Sequence, residues 1–181
     1  MRALLYLAAV ACLGGAARAD GERALSGDIG LATFSTVGKK VGNQTPPSLS
    51  PDIGVTLGGS YEQMLGSDFA FRGEAAGSLF HGGAEKDESD TSWALVGDVG
   101  FAFRFDVARW VPYAFAGVGG VISGGGPIDR GADVMLAVGG GLDFLASRAR
   151  SYGAELRLAS FGGDITVLTL SFRASLRWGY F

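Results

Sequence analysis

The chain has 181 residues, with 31 Gly, 48% apolar residues, one Cys, one His and a net charge of −3. That is one domain's worth of chain. So much Gly, with no Gly-X-Y period and only five Pro, excludes a collagen-like chain and disfavours a helical bundle, because Gly costs roughly 1 kcal/mol per interior helical site. An acidic balance argues against a nucleic-acid partner. One Cys and one His exclude an intrachain disulfide, a Cys-rich metal site and any site built on two imidazoles.

Met1 and Arg2 open the chain, Ala3 to Ala17 is apolar, and Ala17-Arg18-Ala19 is an A-x-A site. This is the layout of a secretory signal peptide over residues 1–19, leaving residues 20–181 as the mature domain. The apolar stretch is too short for a spanning helix. Cys12 lies inside the removed segment. A lipoprotein anchored on Cys12 is the rival, but Ala9-Val10-Ala11 lacks the Leu usual at the start of a lipobox.

Beyond the leader, apolar residues recur with period two. Asp28 to Val37 is a first strand without a clear phase. Ile53, Val55, Leu57 and Tyr61 then share one face, followed by Phe69, Phe71, Ala75 and Leu79. Next come Trp93, Leu95, Val99, Phe101, Phe103 and Phe105. Val111 to Ser123 is a strand that is small or apolar on both faces. Three more strands carry Val134 to Phe144, Tyr152 to Leu158 and Leu168 to Tyr180. These are eight strands, longer than the roughly 5–6 residues usual in soluble proteins and suited to crossing a membrane at a tilt. Long connections (38–50, 81–91, 124–131) alternate with short ones (63–68, 107–110, 146–150), as in outer-membrane barrels. The last connection, around Gly162-Gly163-Asp164, is short where the pattern calls for a long one.

Three features set the wet face. The only lysines, Lys39, Lys40 and Lys86, fall in the long connections. The polar strand face carries Glu62, Glu74, Asp98, Asp143 and Glu155 against Arg72, Arg104, Arg157, Arg173 and Arg177, a balanced set suited to pairing inside a narrow lumen. Tyr61, Phe69, Phe71, Phe103, Phe105, Trp110, Tyr113, Phe144, Tyr152, Trp178 and Tyr180 gather beside the short turns or the C-terminus, as an aromatic belt at one membrane interface would. Arg at Leu170 or Phe172 should therefore block assembly, and Arg at Ser171 or Ser175 should be better tolerated.

The stretches Val111–Gly120, Gly139–Phe161 and Ser171–Phe181 carry a resemblance. Through them the chain resembles the small outer-membrane β-barrels of the opacity-protein and OmpA-transmembrane-domain type. The resemblance covers nearly the whole mature chain. It implies an all-β, eight-stranded antiparallel up-and-down transmembrane barrel with periplasmic termini and external loops. It also implies outer-membrane lipid and the barrel-assembly machinery as partners, with Phe181 as the terminal assembly signal. Phe181 is one step out of phase with Trp178 and Tyr180.

Some barrels of this kind are lipid-modifying enzymes that use His, Ser and Glu. Here His81 is followed by Gly82-Gly83, and Ser78 precedes it with no elbow motif, so no base–nucleophile pairing is apparent. Glu85 to Asp90 lacks the calcium-loop spacing. No cofactor or metal is implied. The sequence thus points to a monomeric, non-enzymatic barrel in a structural or surface-antigen, adhesin-like role. Its rivals are a narrow solute channel and a soluble lipocalin-like carrier of inverted polarity.

Overall fold

In a computed structural model, residues 21–37, 48–83, 90–105 and 109–179 are described. Eight long strands follow in order: β1 (Arg23–Val37), β2 (Ile53–Met64), β3 (Phe69–His81), β4 (Thr91–Arg104), β5 (Trp110–Gly124), β6 (Gly131–Ser147), β7 (Arg150–Phe161) and β8 (Ile165–Trp178). Each pairs antiparallel with its sequence neighbours. β1 also pairs with β8, from Arg23↔Trp178 to Ser35↔Thr166, which closes the sheet into a barrel. A two-residue strand, Ser48–Leu49, adds to the loop end of β1.

One end of the barrel, the turn end, holds the Leu65–Asp68 and Arg148–Ala149 connections and the start of β1. The other, the loop end, holds the longer connections. Its β7–β8 turn is only Gly162–Asp164, and Gly162 and Gly163 sit at φ +63° and +79°. That left-handed backbone suits residues without a Cβ, and it lets the chain reverse in so few residues.

Period-two alternation becomes an inside and an outside. Leu57, Ile29, Leu136 and Val134 point outward, each more than 60% exposed, while their chain neighbours line the lumen. Exposed apolar surface on this scale wraps the barrel and belongs in hydrocarbon rather than water. It reverses the polarity of a soluble carrier.

Two expectations need correction. β1 begins at Arg23, five residues before Asp28, and it has a clear phase: Leu25, Ile29 and Leu31 are exposed, whereas Ala24, Ser26, Ala32 and Phe34 are buried. β5 has one as well, with Val111, Tyr113, Phe115 and Val121 inward. Phase was hidden because the inward residues are themselves apolar or small along much of both strands.

Inward glycines permit close strand approach. A Cβ on Gly119 would lie 2.0 Å from the Gly97 carbonyl oxygen. Gly119→Ala should therefore destabilise the barrel by about 1–3 kcal/mol, as overpacking does. Urea unfolding of the refolded protein measures this, and an unchanged midpoint would refute the steric reading.

Candidate functional site

The lumen is stratified. Its central and turn-end part is charged, and its loop-end part is mainly apolar, with the hydroxyls of Thr36, Ser92 and Ser123 among the apolar side chains.

The ten polar-face charges singled out from the sequence are all buried inside the barrel, the most exposed being Glu74 at 8%. Eight of them form one alternating chain. Arg104 donates to Glu62 through both Nη2 and Nε, the latter at 3.1 Å. Glu62 Oε1 accepts from Arg173 Nη2 at 2.5 Å. Arg173 Nη1 reaches Glu155 Oε2 at 3.4 Å, and Arg72 Nη2 donates to Glu155 Oε1 and to Glu74 Oε2, both at 2.7 Å. Glu74 Oε1 then accepts from Arg157 Nη1 at 2.8 Å, and Arg157 Nη2 donates to Asp98. The chain links β4, β2, β8, β7 and β3, so it is complete only when the barrel closes. Because Glu62, Glu74 and Glu155 each lie between guanidiniums, removal from water is offset by charge-assisted hydrogen bonds.

The remaining two, Asp143 and Arg177, sit apart at the turn end. Arg177 Nη2 lies 3.9 Å from Asp143 and Nη1 lies 3.3 Å from Glu22.

Three residues of the charged region escaped the sequence reading. Tyr113, placed there in the aromatic belt, faces inward at 4% exposure and donates its hydroxyl to Glu155 Oε2 at 2.7 Å. Its ring carries the Arg173 guanidinium 5.1 Å from its centroid, and the Phe115 ring carries Arg72 at 3.9 Å, both cation–π distances. Asp28 also turns inward, beside Gly58. Val111–Ser123 showed no phase, so Phe115 could not be assigned a side and nothing opposed placing Tyr113 in the belt, and Asp28 opened a strand whose phase was hidden.

Toward the loop end the lumen is filled by Phe34, Phe80, Val121, Met135, Phe161 and Ile165. Phe34 and Phe80 meet edge to face at 5.2 Å. A single 3₁₀ turn, Gly126–Ile128, folds back so that Ile128 is fully buried among them. At its rim Arg130 pairs with Asp164 of the β7–β8 turn. The polar, salt-bridged lumen expected from the charge pattern is thus confined to the centre and turn end, and toward the loop end apolar side chains predominate.

Outside, Phe69, Phe71, Phe103, Phe105, Trp110, Phe144, Tyr152 and Trp178 lie on the outward face near the turn end, most of them in ring contacts. Phe69–Phe103 is 4.9 Å, Phe103–Phe105 4.6 Å and Trp110–Phe144 5.0 Å between centroids. Tyr180, Phe181 and residues 1–19 fall outside the described residues, as do Lys39, Lys40 and Lys86. His81 ends β3 exposed on the outer face, while Ser78 is buried on the inner one, donating to Thr56. The two do not meet. Among the described residues no group of three or more His, Cys, Asp or Glu could hold a metal ion.

No family model matches the chain, and no curated protein matches it. Solved structures do. Neisserial surface protein A is 12% identical, with a TM-score of 0.62 over 85% of this chain and 96% of that one. The chain has the fold of the small outer-membrane β-barrels. Ail, the attachment invasion locus protein of Yersinia pestis, crystallised with the heparin analogue sucrose octasulfate, is 21% identical with a TM-score of 0.56, over 87% of this chain and 99% of that one. The outer membrane enzyme PagL is 15% identical with a TM-score of 0.53, over 84% and 98%. The exposed leucines and valines form an apolar outer band, and the outward Trp and Tyr residues beside it combine an apolar body with a polar edge.

Proposed function

We propose that this protein is a monomeric, non-enzymatic outer-membrane barrel that displays its loops at the cell surface in a structural or surface-antigen, adhesin-like role. In this reading residues 1–19 direct export, the barrel-assembly machinery recognises the strand ending at Phe181, and the turn end faces the periplasm. The observation that carries it is the stratified lumen. An eight-stranded barrel has an interior just wide enough for side chains, and here charges fill the centre while Phe34, Phe80, Ile128, Met135 and Phe161 fill the loop end. An ion entering from the loop side would have to cross a mainly apolar layer that offers only a few hydroxyls, those of Thr36, Ser92 and Ser123, in place of its hydration. The vestibule of about 230 Å³ at the turn end, edged by Glu22, Arg104 and Arg177, leads up to the charge network. The separation of His81 from Ser78 supports the non-enzymatic part of the reading.

The test is refolded protein in a planar lipid bilayer, beside a gel run with and without boiling. A heat-modifiable band with no conductance above background is expected. Discrete conductance steps would overturn the sealed-lumen reading in favour of a narrow channel. Protease treatment of intact cells should cut the 38–50 or 82–90 connections, and full protection of both would remove the surface role.

A further inference from the structure

β7, β8 and β1 meet at the seam that closes the barrel. On its outer face near the turn end, Leu25 pairs with Leu176 and Gly27 with Ala174, while Arg150 pairs with Leu176 and Tyr152 with Ala174. Leucines and a tyrosine thus surround a floor made of the two smallest side chains, leaving a groove of about 630 Å³. Unlike Gly119, Gly27 is not demanded by strand packing, since a Cβ there would meet nothing within 4 Å. What glycine provides at this position is outward space.

The groove is apolar along its length and cationic at its turn-end mouth. Arg150 lines it, and Arg23, one outward position beyond Leu25 on β1, is exposed beside Trp178. Neither guanidinium has a carboxylate partner among the described residues. No carboxylate points outward from the turn-end halves of these three strands, since Glu22 is engaged with Arg177. A planar donor fork beside an apolar channel complements a phosphodiester joined to an acyl chain.

We propose that this seam groove binds an anionic glycerophospholipid, its phosphate held by Arg150 and Arg23 and one acyl chain lying over Gly27 and Ala174. The site rests on the reading that the turn end faces the periplasm, where the adjoining leaflet is phospholipid.

The test uses the full chain refolded in micelles doped with equal amounts of phosphatidylglycerol and phosphatidylcholine, with retained lipid read by native mass spectrometry. The wild type should retain phosphatidylglycerol about fivefold over phosphatidylcholine for each engaged arginine. Arg150→Gln should remove one such factor. Gly27→Leu should lower retention of both lipids by filling the groove. Gly97→Leu, whose Cβ would also point into open space, 3.9 Å from the nearest backbone oxygen, should behave as wild type. Equal retention of the two lipids by the wild type, or equal loss in Gly97→Leu, would overturn the site. A heat-modifiable band from all four proteins separates the outcomes: a folded barrel without lipid preference ends this proposal alone, and failure of the wild type to form such a barrel ends the membrane reading.

Discussion

Glu62→Ala should lower the stability of the refolded barrel by about 3–5 kcal/mol, the range for removing one partner from a buried charge set. Glu62 is 2% exposed and joins guanidiniums from three strands: Arg104 of β4, Arg173 of β8 and, at 3.7 Å, Arg72 of β3. Its loss removes the carboxylate that Arg104 pairs with and leaves Glu155, at 3.4 Å, as the carboxylate nearest Arg173, which otherwise donates to the Ser26 hydroxyl. Glu62→Gln should retain most of the loss, because charge rather than volume is what the arginines miss. Urea titration in lipid vesicles, followed by tryptophan fluorescence, reads the change as a lowered midpoint at constant slope. A shift worth less than about 1 kcal/mol, the range of an exposed ion pair, would mean that the charge chain does not hold the barrel closed.

The second large effect lies on the other side of the same sheet. Leu170 of β8 is 55% exposed and pairs laterally with Leu31 and Leu156, both outward. Leu170→Arg places a guanidinium in this apolar band, where a cation at mid-depth costs roughly 2–4 kcal/mol. The expected result is a marked fall in the heat-modifiable fraction after refolding into vesicles, and Phe172→Arg, two residues on, should behave alike. Insertion equal to wild type would invert the assignment of faces. Arg at Ser171 or Ser175, expected from the sequence to be better tolerated, meets a different obstacle. Both serines are buried in a filled lumen, and a long side chain has no room there. Ser171→Ala is the appropriate quiet control.

The barrel was legible in the sequence wherever one face is polar and the other apolar. From Ile53 to Phe105 and from Val134 to Trp178 the alternation places side chains on the two faces that the structure has. The ten charges were legible for the same reason, since an Arg or Glu within an apolar alternation has only one side on which it can be paired. Legibility failed where chemistry on the two faces converged. Phe34 and Val121 look like lipid-facing residues in sequence, and only the closed sheet shows them filling the loop end of the lumen. Ile128, in a connection rather than a strand, gave no periodic signal, because it reaches the interior by a turn. Tyr113 was misplaced because an aromatic near a short turn suits the belt as well as the lumen, and choosing between them needs the register with Gly141 of β6 and Arg104 of β4.

The stratified lumen also bears on how the strands find their alignment. A strand that slips by one residue exchanges its two faces. In the loop half such an error trades Ala32 for Leu31 or Met135 for Leu136, apolar for apolar, and little opposes it. In the turn half the same error drives Arg72, Glu74 or Arg173 onto the apolar outer face. The charged half therefore serves as the proofreading element of the barrel, rejecting misregistered pairings that the apolar half would accept.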